Sequence, residues 1–407
     1  MEKKTGKIGG KKLAWLLTLL YFTSYITRIN FAAIIQEIVT ATGYEKTSLS
    51  IILVVLSITY GTGQIINGRL GDKIKPQNLI LIGLITSATV NLAFPFLINS
   101  VALMTVFWGI NGFAQAMMWP PIVKILVAAT DGEMYNYATV RVSWGSSFGT
   151  ILIYLISPLL ISLLGWRSVF YFSSVIGIAT IAIWLCTMNR IESGAPACDT
   201  ALKEEEKGFK FPKEAVFPII FIALGIILQG MLRDGITSWM PTYLSEVFSL
   251  DNKLSILITV SLAIFSIISF SVAGSFYKKF FTNEVALSTV IYGVSAVSAL
   301  ILFAFFNSGV ILTVFSMALI TGCMHGINLM LISHVPKRFK KYGNISTMSG
   351  LINSCTYVGS AISTYVVALF SEIIGWRYTV GVWAIIAILG TLVCLLATKP
   401  WEKFFSK

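Results

Sequence analysis

Leu17–Gln36 reads LTLLYFTSYITRINFAAIIQ, an apolar run of membrane-spanning length with Arg28 inside it. Phe217–Leu244 reads FPIIFIALGIILQGMLRDGITSWMPTYL and carries Arg233 in the same way, some two hundred residues on. An ionised side chain near a bilayer centre costs roughly 3 kcal/mol on insertion scales and more in simulations, so its default reading is functional. One such cation in each half of a chain points to a cavity that holds an anion.

Composition agrees with a membrane setting. The chain has 407 residues, 56% hydrophobic and 12% charged, with a mean hydropathy of +0.81. A soluble domain carries about 25% charged residues. Apolar stretches of about 20 residues, enough to cross a hydrocarbon core, recur along nearly the whole length. Short alternating strands, the signature of a transmembrane barrel, are not the pattern. The basic start, MEKKTGKIGGKK, leads into an apolar stretch longer than a signal-peptide core, without a small-residue cleavage site, and reads as a retained first helix.

The net charge of +12 does not point to nucleic acid, because of where it lies. Lysines and arginines crowd the N-terminus, the central linker and alternate loops. The intervening loops hold only Lys46, Arg167, Lys253 and Arg377. This bias places both termini in the cytoplasm of a multi-pass plasma or inner membrane protein. The five cysteines, Cys186, Cys198, Cys323, Cys355 and Cys394, show neither metal-ligand spacing nor a disulfide framework.

Twelve helices are expected, over 12–37, 48–70, 78–97, 101–126, 136–163, 168–188, 214–244, 253–278, 285–306, 309–333, 343–371 and 376–398. The polar stretch 189–213, NRIESGAPACDTALKEEEKGFKFPK, is a cytoplasmic linker that divides the chain into residues 1–188 and 214–407, six helices each. The halves repeat. Gly165-Trp166-Arg167 opens the sixth helix and Gly375-Trp376-Arg377 the twelfth; Arg28 answers to Arg233, and Gly68 to Gly274. Parallel six-helix repeats around a central site are an architecture of alternating-access transporters.

After the second helix comes Gly68-Arg69-Leu70-Gly71-Asp72-Lys73-Ile74-Lys75-Pro76. The glycine permits close helix approach, and Asp72 can accept hydrogen bonds from a neighbouring helix N-terminus. Gly68, Asp72 and Lys73 are therefore candidate gating residues. This loop resembles the signature of the major facilitator superfamily, and length, span number, linker and repeat carry the resemblance over the whole chain. The resemblance implies the all-α polytopic fold of that family: twelve transmembrane helices in two parallel six-helix bundles.

The loop form, with Tyr25-Ile26-Thr27-Arg28-Ile29-Asn30-Phe31, Leu232–Leu244 and Trp119-Pro120-Pro121, is similar to the organophosphate:phosphate antiporter branch. That resemblance implies phosphate binding by Arg28 and Arg233. The chain departs from the branch at Ile29 and Gln64, where lysines are usual, at Gly145, where a histidine is, and at Ser238, where an acid is. The second-half copy of the loop, Gly274-Ser275-Phe276-Tyr277-Lys278-Lys279, has lost its acid.

A guanidinium stays charged and grips phosphate or carboxylate through two parallel hydrogen bonds. Tyr25, one turn from Arg28, Gln64, one turn from Tyr60, and Tyr357, in the family's cavity-tyrosine position, are further candidate contacts. Arg141 reads as a third substrate contact or as one side of a gate ion pair. His325 reads as an anion ligand, a proton carrier or a histidine bonded to a backbone carbonyl. Asp234, the one acid placed deep in a span, is the other candidate for proton coupling, with its partner expected on another helix because neighbours point ~100° apart.

No GxxxxGK[ST] loop is present, so transport is not expected to use ATP, and no cofactor or metal is called for. The expected function is secondary transport of small organic anions by a monomer, first of all a sugar or polyol phosphate exchanged for inorganic phosphate. The alternatives are a proton-coupled carboxylate transporter and a transporter-like anion sensor. No nucleophile–base constellation suggests an enzyme.

Overall fold

The computed structural model describes residues 8–44, 46–191, 213–250, 252–342 and 345–406. Over these residues the chain is helical, and it divides into two compact units. One comprises Met1–Phe209 and Phe339–Leu351, the other Lys210–Arg338 and Ile352–Lys407. The division falls within the linker stretch, of which 192–212 lies outside the described residues.

The first unit is built from α1 (Gly10–Ala33), a short α2 (Ile35–Thr42), α3 (Lys46–Lys73), α4 (Pro76–Ala93), α5 (Val101–Gln115), α6 (Trp119–Ala129), α7 (Gly132–Leu164) and α8 (Arg167–Thr187). The sequence sets several of these ends. Pro76 opens α4 at a position that needs no N–H. The Ser100 hydroxyl accepts the Leu103 N–H and caps α5. α5 and α6 form one pass, Val101–Ala129, broken at Ala116–Met118. Pro120 and Pro121 explain the break, since neither can donate back into the preceding turn.

The second unit holds α9 (Lys213–Phe248), α10 (Asn252–Phe280), α11 (Glu284–Ala304) and α12 (Val310–Asn328), then most of α13 (Ile345–Ile373) and α14 (Gly375–Phe405). α12 continues as a six-residue π-helical segment, Leu329–His334. The repeat read from sequence extends to the backbone. Gly165 and Gly375 have φ of 80° and 79°, a left-handed turn that only glycine makes without strain, and each precedes a Trp-Arg pair.

Among the described residues, ten helices are long and apolar enough to cross a membrane. α1 and α13 have the length, at 24 and 29 residues, and in α1 hydroxyl, amide and charged side chains dilute the apolar content. The outward faces carry residues such as Ile51, Ile58, Leu155 and Leu395, while Asn30, Asn91, Asn111 and Gln115 are buried. That is the distribution expected where the surrounding solvent is lipid.

Glycines set the closest helix contacts within each unit. A Cβ on Gly145 or Gly149 of α7 would run into the carbonyls of Thr18 or Phe22 on α1. In the second unit, Gly230 of α9 meets the Thr356 carbonyl of α13, and Gly359 of α13 meets the Ile227 carbonyl of α9. Equivalent helices of the two halves thus pack through the same device.

Candidate anion-binding residues and the Asp72 loop

Arg28 is buried in the first unit, with 9% of its surface exposed. Its guanidinium lies 4.2 Å from the ring centre of Tyr25 and 4.8 Å from that of Tyr60, within cation–π range. The expected Tyr25–Arg28 pairing is present, and Tyr60 joins it from α3. Gln64, one turn further along α3, is buried and donates to the Ala116 carbonyl at the α5–α6 break over 3.4 Å.

A lattice of buried amides and hydroxyls fixes the turn that carries Arg28. The Thr27 carbonyl accepts the side-chain amides of Asn91 and Asn111, both at 2.9 Å. Gln115 donates to the Thr27 and Ser87 hydroxyls and accepts from Ser24. Asn30 donates to Asn91 and to Ser173 on α8. Three helices, α4, α5 and α8, therefore hold one turn of α1. Sequence reading passed over this lattice, although amides in the middle of apolar runs, Asn91 in α4 and Asn111 and Gln115 in α5, were its visible signal.

Arg141 stands apart from this cluster. Its guanidinium rests 3.8 Å from the Trp144 ring centre, 4.9 Å from Tyr137 and 5.8 Å from Trp15. Trp15 and Arg28 lie on the same helix, and at 1.5 Å per residue they are about 20 Å apart along it. No carboxylate pairs with Arg141 among the described residues.

In the second unit Arg233 and Asp234 depart from expectation. Asp234 does not look to another helix for its cation. Arg233 folds back and donates from Nε and Nη2 to the two carboxylate oxygens of its neighbour at 2.6 and 2.8 Å. The length of the arginine stem overrides the ~100° between successive side chains. Ser360, on α13, also bonds the Asp234 carboxylate, and His325 on α12 lies within electrostatic reach of both members of the pair.

His325 packs edge-on to Phe270, ring centres 5.3 Å apart. Gln229, one turn before Arg233, donates to the Met324 carbonyl beside it at 3.0 Å and ties α9 to α12. Tyr357 is half-buried, one turn before Ser360 on α13. Ser360 and Gln229 were not foreseen.

The loop after α3 belongs to the first unit together with the start of α13. The two carboxylate oxygens of Asp72 accept the backbone N–H groups of Ser346 and Thr347, at 3.0 and 2.7 Å. These are first-turn donors with no partner inside their own helix, and a negative charge there is favoured. Gly68 makes the approach possible, since a Cβ on it would stand 2.8 Å from the Ser346 carbonyl oxygen. The cation that faces Asp72 is Lys124 of α6, at 3.8 Å, which also donates to the Gly71 and Asp72 carbonyls. Lys73, a candidate gating residue from sequence, sits exposed at the end of α3.

The second half lacks the matching loop acid but has a buried one nearby. Glu284, 1% exposed at the start of α11, accepts from Arg338 and Tyr277 at 2.8 Å and from the Trp401 indole at 3.0 Å. His334, which reads from sequence as an interfacial residue, is buried, with its ring centre 4.6 Å from that of Tyr277.

The chain is 30% identical over 250 residues to a glycerol-3-phosphate transporter of Bacillus subtilis, covering 56% of this chain and 55% of that protein. It is 29% identical over 214 residues to a probable hexose phosphate transport protein of Chlamydia trachomatis, covering 51% and 45%. The chain thus spans about half the length of these two relatives. It is 24% identical over 418 residues to the membrane sensor protein UhpC of Salmonella typhimurium, covering 92% and 88%.

Among solved structures, FucP in the outward conformation superposes with a TM-score of 0.74 at 14% identity, covering 97% and 98% of the two chains. The proton:xylose symporter XylE does so with 0.72 at 12%, covering 94% of each. At those identities the likeness is one of fold. The model of the Major Facilitator Superfamily matches residues 17–364, a range that takes in Arg28, the Asp72 loop, Arg233 and His325. With the repeated halves, the glycine-packed helix pairs and the capped loop in place, the chain belongs to the major facilitator superfamily.

Proposed function

We propose that this protein is a secondary transporter that moves small organic anions by alternating access, with sugar or polyol phosphates as cargo and inorganic phosphate as the exchanged anion. One observation carries the reading: each unit holds an arginine in the interior of a helix, Arg28 beside Tyr25 and Tyr60, and Arg233 beside Asp234 and His325. The guanidinium fork suits phosphate and carboxylate alike. The likeness to glycerol-3-phosphate and hexose phosphate transporters favours phosphate. Both termini lie in the cytoplasm on this reading, and residues 1–188 and 214–407 act as the two moving bundles.

The test is a thermal-shift screen of the purified protein against inorganic phosphate, glycerol 3-phosphate, hexose 6-phosphates and sugar acids, with Arg28→Ala and Arg233→Ala alongside. A ligand at 100 times its dissociation constant stabilises by about 2.7 kcal/mol. Stabilisation of the parent by phosphate esters, absent in both variants, supports the reading. Stabilisation by carboxylates alone replaces it with sugar-acid transport, for which the Asp234–His325 neighbourhood supplies the proton-handling groups.

A second reading, an anion sensor, is favoured by the coverage of the UhpC match along nearly the whole chain. It predicts binding without flux.

A further inference from the structure

Arg233 does not hold its fork open. The two N–H groups on its Nε and Nη2 edge, with which a guanidinium grips an oxyanion side-on, are engaged by the two oxygens of Asp234 at 2.6 and 2.8 Å. Residues one apart on a helix do not ordinarily face each other, so this clasp is not a default of helical geometry. The carboxylate is held from outside α9 as well, by Ser360 on α13, while His325 on α12 faces the pair. Among the described residues, Arg233 and His325 are the charged or titratable groups acting on Asp234.

The geometry points to Asp234 as a tethered stand-in for the transported anion, seated in the Arg233 fork between cargoes and displaced when cargo arrives. This rests on the reading of Arg233 as an anion-binding residue. Its consequence is a transport mode.

A cation in a membrane interior is costly to bury without a counter-charge. A carrier whose site cation depends on cargo for neutralisation has to refill before it reorients, and so exchanges one anion for another. Asp234 supplies the counter-charge from inside the chain, so the site can return unloaded. Ser360 keeps a hydrogen bond on the carboxylate while Arg233 turns to the cargo. The protein therefore exchanges anions when one is offered on the far side and also carries out net one-way flux when none is.

The experiment uses the full chain in phosphatidylethanolamine–phosphatidylglycerol vesicles, with potassium and valinomycin to clamp the voltage. Uptake of radiolabelled inorganic phosphate and of glycerol 3-phosphate is measured into vesicles that contain phosphate and into vesicles that contain none. The parent is expected to show both modes. Asp234→Asn is expected to lower net uptake at least ten-fold more than it lowers exchange. Asp234→Glu, which keeps the charge, is expected to retain net uptake, and Asp234→Ser replaces the Asn variant if that does not fold.

A parent that exchanges but shows no net uptake overturns the inference and leaves the proposed function standing. So does an Asn or Ser variant that keeps both modes in the parental ratio, or a folded one that loses both. A parent that moves neither anion in either mode overturns the phosphate reading, and this inference with it.

Discussion

Arg338 reaches back from the end of the helical pass that begins with α12 and places its Nε 2.8 Å from a carboxylate oxygen of Glu284, which is 99% withdrawn from solvent. Tyr277 and the Trp401 indole complete the shell around that carboxylate. Removing Arg338 leaves the buried Glu284 carboxylate without its counter-charge, which costs about 3–5 kcal/mol, whereas removing Glu284 leaves an arginine that is 30% exposed. Arg338→Ala should therefore lower the melting temperature of the detergent-solubilised protein more than Glu284→Gln does. The double variant should fall well short of the sum, as measured by a double-mutant cycle on thermal unfolding.

Asp72 is expected to behave differently from Glu284, because it caps a helix as well as pairing with a cation. Asp72→Asn keeps an acceptor for Ser346 or Thr347 but removes the charge, worth roughly 0.3–1 kcal/mol at a helix N-terminus, and also leaves buried Lys124 unpaired. Lys124→Met in the Asp72→Asn background should recover part of the lost stability. The readout is the order of the four melting temperatures. A double variant less stable than Asp72→Asn would show that Lys124 does not act through the carboxylate.

Arg28 and Arg141 should separate cleanly in binding. Hydrogen bonds to a charged group contribute about 1.5–3 kcal/mol, so Arg28→Ala should weaken anion binding by roughly 10- to 150-fold. Arg28→Lys should not restore it, since an ammonium lacks the planar fork. Arg141→Gln should leave affinity unchanged, because its aromatic surroundings lie about four turns of α1 away from Arg28. Isothermal titration with the ligand found in the thermal screen checks all three.

Glycine-to-alanine substitutions should change sign with position. Gly359→Ala pushes a methyl group into the Ile227 carbonyl across the α9–α13 contact, and overpacking of this kind costs about 1–3 kcal/mol. Gly293 on α11 has no neighbour within 4 Å of its would-be Cβ, so Gly293→Ala should gain the roughly 0.5–1 kcal/mol that alanine brings to a helix interior. Melting temperatures of the two variants against the parent decide it.

Much of the fold was legible because the bilayer imposes a coarse code. Apolar length gave the passes, and the Gly-Trp-Arg repeat gave the duplication; the structure adds that Gly165 and Gly375 share a left-handed φ. Local spacing also gave the Tyr25–Arg28 pair, since residues three apart share a helix face. Contacts between helices were less accessible. That Lys124 faces Asp72 depends on how α6 packs on α3, which periodicity does not encode. Glu284 was overlooked because the loop acid was sought at the position of its first-half counterpart, whereas it had moved to the start of the next helix. The Arg233–Asp234 clasp ran against the rule for adjacent residues, and that rule takes no account of how far an arginine side chain can bend.

The turn of α1 that carries Arg28 is fastened by Asn91 and Asn111, which lie on α4 and α5 and leave the ribosome well after it. Until they arrive, the Thr27 carbonyl lacks both of its side-chain donors and the Ser24 hydroxyl lacks Gln115, and α1 is among the least apolar of the passes. Order of synthesis and order of settlement are thus reversed at this end of the chain. The first helix to be made can take up its final place only when the third and fourth passes come to enclose it, so its residence in the membrane is underwritten by segments not yet translated when it emerges.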